Sequence, residues 1–435
     1  MRAQSDAKKG FQMYLFFVRH FNDIDHLAPV AWKMQKAGHP VAVYCMNPRY
    51  DYQNDYRLCF LKDLGVAVDY LHNQFGRHFG LLHKLLSRLI EKSFHSQREV
   101  LAKGAVAPFY SKLFGYLVGK FGSLSYKLVR YGYYDLQWAR SVLEKSGARA
   151  VCFDHIMPGL YVVRNLLKAA KEMSIPSFSL PHGVHLYTNE ATKPKATDVR
   201  RAAKFNEFDY IIVPNRLRRD VLARSGVSVE KIFVLGSARY SEEWLAQNKK
   251  IMPRKIASKE DSQSRLKVVF LPSKPQCQVD LARLKTTCGT LAGIKNIDIM
   301  VKPHTRAGGE KYLFDGNRLP DASHMITAEL CEWADVSLVV GSSVVTEALM
   351  RKKPVLYLKY LHANTTLFEE LGACWTIHDE NELKNALFSL QKNKADIPYE
   401  EAGVLDYIKE VVYGGREEKD VLGNYENFIV THARR

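Results

Sequence analysis

The sequence predicts an α/β protein made of two parallel-sheet domains that face a cleft, with a helical basic insertion in the first domain. Three observations carry this expectation. Short apolar runs that stop at Gly, Pro, Asn or Asp alternate with helical stretches on both sides of a polar segment at 246–265. Residues 332–358 read as one complete strand, turn, helix and strand, with Gly341, Ser342 and Ser343 in the turn. Between Gly76 and Tyr134 the rhythm breaks into a long helical pattern rich in Leu, Phe and Tyr.

The elements follow in order. The apolar run 13–18 is the first strand, a polar loop occupies 19–25, an amphipathic helix fits near 27–36, and 41–46 is the second strand. Further strands fit 148–153, stopping at Asp154; 177–180, stopping at Pro181-His182-Gly183; 210–213, stopping at Pro214-Asn215; and 232–235, stopping at Gly236-Ser237. These make an N-terminal domain expected over 11–245, with its insertion over about 76–135. The charged and polar residues of 246–265 have linker composition. Strands at 267–271, 297–301, 336–340 and 355–358 then build a second domain over 266–395, and helices in 396–435 are expected to pack back over the first domain.

Composition narrows the partners. A chain of 435 residues with 46% hydrophobic content can bury a large core, which argues against disorder. Its 63 Lys and Arg against 46 Asp and Glu leave a formal charge of +17, favouring polyanions, anionic lipid or phosphorylated substrates. No window of roughly 18 uninterrupted apolar residues occurs, so no membrane-spanning helix is expected. The polar first ten residues lead into no secretory core. Seven cysteines, scattered and never spaced as CxxC, fit a reducing cytoplasm and neither a zinc site nor a disulfide framework.

The insertion holds ten basic residues against two acidic ones over 77–130. Basic amphipathic helices with Leu and aromatic faces suit an anionic membrane surface, and equally suit a solvated cover for the N-terminal sheet. No nucleic-acid module accompanies them, and no nucleic-acid partner is expected.

The order of motifs adds a resemblance. Leu-Pro-His-Gly (180–183), Phe-Asp-Tyr-Ile-Ile-Val-Pro-Asn (208–215), Val-Leu-Gly-Ser-Ala-Arg-Tyr (234–240), Val-Val-Phe-Leu-Pro-Ser (268–273), Val-Lys-Pro-His-Thr (301–305) and Ala-Asp-Val-Ser-Leu-Val-Val-Gly-Ser-Ser (334–343) stand in a familiar sequence. It resembles that of CDP-glycerol glycerophosphotransferases, non-hydrolysing UDP-N-acetylglucosamine 2-epimerases, and capsule or lipopolysaccharide transferases, including those that use CMP-Kdo. The likeness covers roughly 150–380 and implies the GT-B fold, two Rossmann-like domains facing a cleft. Two departures stand out. Val184-His185 replaces the Thr-Pro that usually follows His-Gly in the phosphotransferases, and proline precedes His304 instead of following it. The carboxylate- and arginine-rich set of the epimerases is not evident around 180–200.

The resemblance implies a glycosyltransferase of bacterial surface polysaccharide synthesis, with a CMP-, CDP- or UDP-linked donor as substrate and no further cofactor. The acceptor would be lipid-linked or a saccharide, and the enzyme cytoplasmic and peripheral on the inner membrane. A CDP-glycerol-type polyol-phosphate transferase and a non-catalytic binding protein of the same shape are the alternatives. Ser342 and Ser343 would cradle the donor phosphate with Gly341, His304 would contact it, Lys302 would face the same cleft, and Glu347 would hold the ribose. The bland readings are a capped helix for the turn and a surface glutamate for Glu347. His182, beside the permissive Gly183, suits a general base or a phosphate ligand, or is a plain loop histidine. Asp154 suits a base or nucleophile, or a helix cap. Asp23, Asp25 and His26 lie in the loop that approaches the acceptor in GT-B folds, although Asp23 or Asp25 would also cap a helix. Arg239, Lys274 and Lys302 would help stabilise the leaving phosphate. Too few converging ligands are visible for a metal, and none is expected.

Overall fold

The structure, a computed structural model of the chain, describes residues 12–433 apart from 75–80, 103–108, 133, 156, 189–201, 257–264, 274–278 and 304–318. Seven strands make the first sheet: β1 (Met13–Val18), β2 (Val41–Cys45), β3 (Ala67–Tyr70), β4 (Ala148–Asp154), β5 (Ser177–Leu180), β6 (Tyr210–Val213) and β7 (Ile232–Val234). Their order is β3-β2-β1-β4-β5-β6-β7, and every pairing is parallel. The second sheet holds β8 (Leu266–Leu271), β9 (Ile297–Val301), β10 (Val336–Val339), β11 (Val355–Leu358) and β12 (Trp375–Ile377), in the order β12-β11-β10-β8-β9, again all parallel. Two Rossmann-like domains facing a cleft, the GT-B fold, result.

Both faces of each sheet are covered, which is why the central strands read as unbroken apolar runs. On β1, Tyr14, Phe16 and Val18 enter one core while Leu15 and Phe17 enter the other, the period of two that a strand imposes. Phe17 stacks on Phe153 of the neighbouring β4 at 4.7 Å. The helix Val421–His432 brings Val421, Leu422, Tyr425 and Ile429 into the core of the first sheet, and the Tyr425 hydroxyl donates to the Gly236 carbonyl at 2.8 Å.

Four elements differ from expectation. Helix α1 runs Phe21–Lys36, beginning six residues before position 27 and absorbing most of the expected loop. Its Asp23, Asp25 and His26 read as loop residues because they are polar, yet all three are buried, Asp23 paired with Arg19 of the same stretch and Asp25 with Arg57 and Arg239 from elsewhere in the chain. Strands β3 and β12 lie at the two sheet edges, where Asp69 and Thr376 are tolerated and the apolar signal is weak. The helix Glu242–Ile251, anchored by buried Trp244, extends into the stretch read as linker.

After α2 (Tyr56–Asp63), the insertion forms a helical hairpin, α3 (Leu81–Ala102) against α4 (Phe109–Gly132). Gly122 permits the close crossing, since a Cβ there would stand 2.7 Å from the Cβ of Ser93. The outer face of α4 is apolar and exposed at Leu113, Leu117, Phe121, Leu124, Leu128 and Tyr131, a spacing of three and four that makes one continuous stripe. Lys120 and Lys127 of α4, with Lys84, Arg88 and Lys92 of α3, are also exposed.

Candidate functional site

In an open parallel sheet, a crevice forms beyond the carboxyl ends of the strands where the strand order reverses. That reversal falls between β1 and β4 in the first sheet and between β8 and β10 in the second. Arg19 follows β1, Asp154 ends β4, and Pro181-His182-Gly183 follows the adjacent β5. The first turn of α1 supplies Asp23, which accepts from the Arg19 amide at 2.8 Å and from its Nε at 2.9 Å.

These side chains form one network. His182 Nδ1 lies 2.9 Å from Asp154 Oδ1 and 3.4 Å from Asp23 Oδ1. Arg19 donates to both aspartates, and His20 Nδ1 stands 3.1 Å from Asp23. The aspartate side chains are fully buried, whereas those of Arg19 and His182 are 27% and 29% exposed. Carboxylates therefore form the floor, and the cationic groups face the cleft.

The floor sets the protonation of the rim. Burial alone would lower the His182 imidazole, but its bonds to Asp154 and Asp23 outweigh this and raise it to about 9. Burial would raise Asp23, yet the His182 bond and the charges of Arg19 and His20 hold it below the usual carboxylate range. Asp154 goes the other way, raised by burial and by the charge of Asp23 despite His182 and Arg19. At neutral pH the imidazole is charged and donates Nδ1–H to the aspartates, with Nε2 left as the group that exchanges its second proton. His26, by contrast, is held well below its ordinary value by burial and then by Arg239.

Asp23, Asp154 and His182 offer three ligand atoms within 4.8 Å of one another. Arg19 already bridges both carboxylates, so a divalent ion there would have to displace a guanidinium. The arrangement fits a proton-handling site better than a metal centre.

Asp25 does not join this cluster. It pairs with Arg57 and, at 2.9 Å, with Arg239, while Arg57 also binds Asp55 at 2.6 Å and lies 4.1 Å over the Phe21 ring. This is a buried structural network beneath the site.

Across the cleft, Val340 and Gly341-Ser342-Ser343 follow β10, and the helix Val344–Met350 begins behind them. Gly341 takes φ +57°, and a Cβ there would stand 3.0 Å from His362 Nε2. The Tyr187 hydroxyl donates to the Gly341 carbonyl at 2.7 Å and the Tyr240 hydroxyl to the Ser343 carbonyl at 3.1 Å. The loop carrying His182 is thus tied to this turn five residues later. With only seven residues, the helix adds little dipole, so an anion placed here would depend on the turn amides and serine hydroxyls. Glu347 is buried and bonded to Arg351 at 2.8 and 3.0 Å. Lys302 gives its ammonium to the Ser323 and Met325 carbonyls, and no hydrogen bond or ion pair among the described residues joins it to the Gly341 turn. His304 and Lys274 lie outside the described residues.

The sequence reading missed Arg19 and His20. Their one signal was an arginine just beyond the first strand, four positions before an aspartate.

No protein family and no curated protein sequence matches the chain. Solved structures do. A UDP-N-acetylglucosamine 2-epimerase from Neisseria meningitidis bound to UDP-GlcNAc is similar at 13% identity, covering 96% of this chain and 99% of that one, with a TM-score of 0.52. A putative UDP-N-acetylglucosamine 2-epimerase from Listeria monocytogenes is 12% identical over 98% and 96% of the two chains, with a TM-score of 0.52. A variant of the wall teichoic acid polymerase TagF is 12% identical over 98% and 89%, with a TM-score of 0.50. At these identities the likeness shows the fold, a GT-B arrangement over nearly the whole chain.

Proposed function

We propose that the protein is a glycosyltransferase that moves a sugar from a CMP-, CDP- or UDP-activated donor, CMP-Kdo being one candidate, to an acceptor of bacterial capsule or lipopolysaccharide synthesis. The observation that carries this reading is an imidazole oriented by two buried carboxylates at one switch point, opposite a Gly-Ser-Ser turn at the other. In its neutral form, His182 takes the acceptor hydroxyl proton on Nε2. The acceptor oxygen bonds to the anomeric carbon, the carbon–phosphate oxygen bond breaks, and its electron pair stays on the nucleotide phosphate. Asp154 is too buried to meet the acceptor, so its part is to hold the imidazole, together with Asp23. Gly341, Ser342, Ser343 and His304 are assigned to the donor phosphate, and Glu347 to its ribose.

The exposed apolar stripe of α4, beside the lysines and arginine of the hairpin, supports docking on an anionic membrane that presents a lipid-linked acceptor. Two of the similar structures are named as epimerases and one as a teichoic acid polymerase, which favours nucleotide-activated substrates and keeps epimerase and polyol-phosphate transfer as competing outcomes. Calorimetry with cytidine and uridine nucleotides on wild type and on Ser342→Ala/Ser343→Ala tests the donor site, with at least tenfold weaker binding expected. Undiminished binding removes the cradle assignment. Product mass then separates sugar transfer from phosphodiester transfer, and an isomerised donor formed without acceptor marks an epimerase.

A further inference from the structure

A cavity of about 190 Å³ opens beside His182, beyond the ends of β4, β5 and β6, and proton transfer makes no use of it. His155, His182, His185 and Arg218 are among its lining residues, and every ionisable group in that lining is basic. Arg218, on the helix Arg216–Arg224, donates from Nη2 to the His155 Nε2 at 2.9 Å. No carboxylate pairs with it among the described residues, and burial pulls its guanidinium below the ordinary value with no counter-charge to restore it. Guanidinium groups taken out of water ordinarily carry an anion. His155 accepts from Arg218 and is therefore neutral, stacked on Phe205 at 4.0 Å and held well below its ordinary value by burial, then by Arg218 and His182.

His185 supplies the second observation. Its Nε2 is buried and meets no hydrogen-bond partner among the described residues. Burial, then Arg218 and Arg224, push its imidazole down to about 4, so at neutral pH it is an uncharged ring with one N–H to give. A ring nitrogen able to donate and a guanidinium, neither with an acceptor oxygen among the described residues and both lining one cavity, have a common solution in an oxyanion.

We propose that this cavity is an oxyanion subsite that takes a phosphate or carboxylate group of the acceptor, with Arg218 as the fork and His185 as a second donor. Its volume is below the roughly 300–1,000 Å³ of a whole small-molecule pocket, so it suits one charged group of a larger molecule. His182 lines both this cavity and the carboxylate network, so an anion held here leaves the neighbouring hydroxyl of the same molecule at the imidazole. The identity of the occupant as the acceptor rests on the transferase reading. Binding of an oxyanion does not.

The test uses the full chain with isotope-labelled histidine. Titration with inorganic phosphate, and separately with acetate, is expected to move the His155 and His185 resonances saturably and to raise Tm. In Arg218→Met both responses should weaken at least tenfold, while its ligand-free Tm stays equal to or above that of wild type because an unpaired buried cation is gone. Loss of the response with Tm retained supports the subsite. Unmoved histidine resonances with both anions, or an unchanged response in Arg218→Met, overturn it. Among anions whose binding Arg218→Met abolishes, the tightest names the source: glucose 1-phosphate a sugar phosphate, farnesyl phosphate a lipid phosphate, glucuronate an acidic sugar. Phosphate binding without nucleotide binding at the Gly341 turn defeats the transferase reading and leaves the subsite standing, and the reverse result does the opposite.

Discussion

Replacing Asp154 with Asn tests whether buried carboxylates set the protonation of His182, and it needs no knowledge of the substrate. The substitution keeps the side-chain shape and an oxygen that accepts from Nδ1, but removes one of two negative charges beneath the ring. Raising the imidazole from 6.5 to about 9 corresponds to about 3 kcal/mol of preference for the charged form, at 1.36 kcal/mol per pH unit. Asp154 at 2.9 Å and Asp23 at 3.4 Å share that effect, with the nearer group contributing the larger part. The midpoint in Asp154→Asn is therefore expected to fall by about 1.5 pH units, to about 7.5. Titrating the His182 ring by NMR between about pH 5.5 and 10.5, with His182→Gln for assignment, reads it directly. A wild-type midpoint near 6.5, or a midpoint unmoved in Asp154→Asn, would refute the reasoning. The same shift fixes a stability profile. A histidine whose folded value lies above its unfolded value stabilises fully below about pH 6.5, and that contribution disappears as pH rises through about 9. Urea midpoints should fall over that window in wild type, and much less in His182→Gln.

Three further outcomes are expected. Gly341→Ala forces a side chain into φ +57° and against His362 and Tyr187, so it should destabilise the fold by about 1–3 kcal/mol in urea titration and weaken nucleotide binding in parallel; wild-type behaviour would show the turn to be slack. Arg57→Ala leaves Asp55 without a guanidinium partner and Asp25 with Arg239 alone, at an expected cost of about 3–5 kcal/mol by circular dichroism, and a loss below about 1 kcal/mol would mean the network is solvated. Phe121→Glu with Leu124→Glu, at positions 52% and 56% exposed, should leave Tm unchanged and cut co-sedimentation with phosphatidylglycerol vesicles at least tenfold; equal sedimentation would dismiss the stripe as a membrane face.

Ten of the twelve strands were legible because parallel strands covered on both faces read as apolar runs, and their stops named Asp154 and His182 as groups at strand ends. Legibility failed where partners come from far away. Strand β1 lies beside β4, so the Arg19–Asp154 bond spans 135 positions and no local pattern announces it. Asp23 and Asp25 look alike in sequence, two residues apart on α1. Only the structure shows one facing His182 and the other facing Arg57 and Arg239. The His155, His185 and Arg218 cavity was likewise hidden, since three separate strand ends contribute to it.

The crossing of the chain back into the first sheet bears on how the protein is made. Val412, Tyr413 and the helix Val421–His432 complete a core whose other walls are translated before the entire second sheet has been synthesised. A nascent chain therefore holds Val30, Trp32 and their neighbours without their final cover while the half built on the second sheet is still emerging from the ribosome. The second half is free to fold first, and the site around His182 matures only once both passages of the chain are in place. Fragments that stop short of residue 412 should then fail in the half that contains none of the deleted residues' immediate neighbours in sequence.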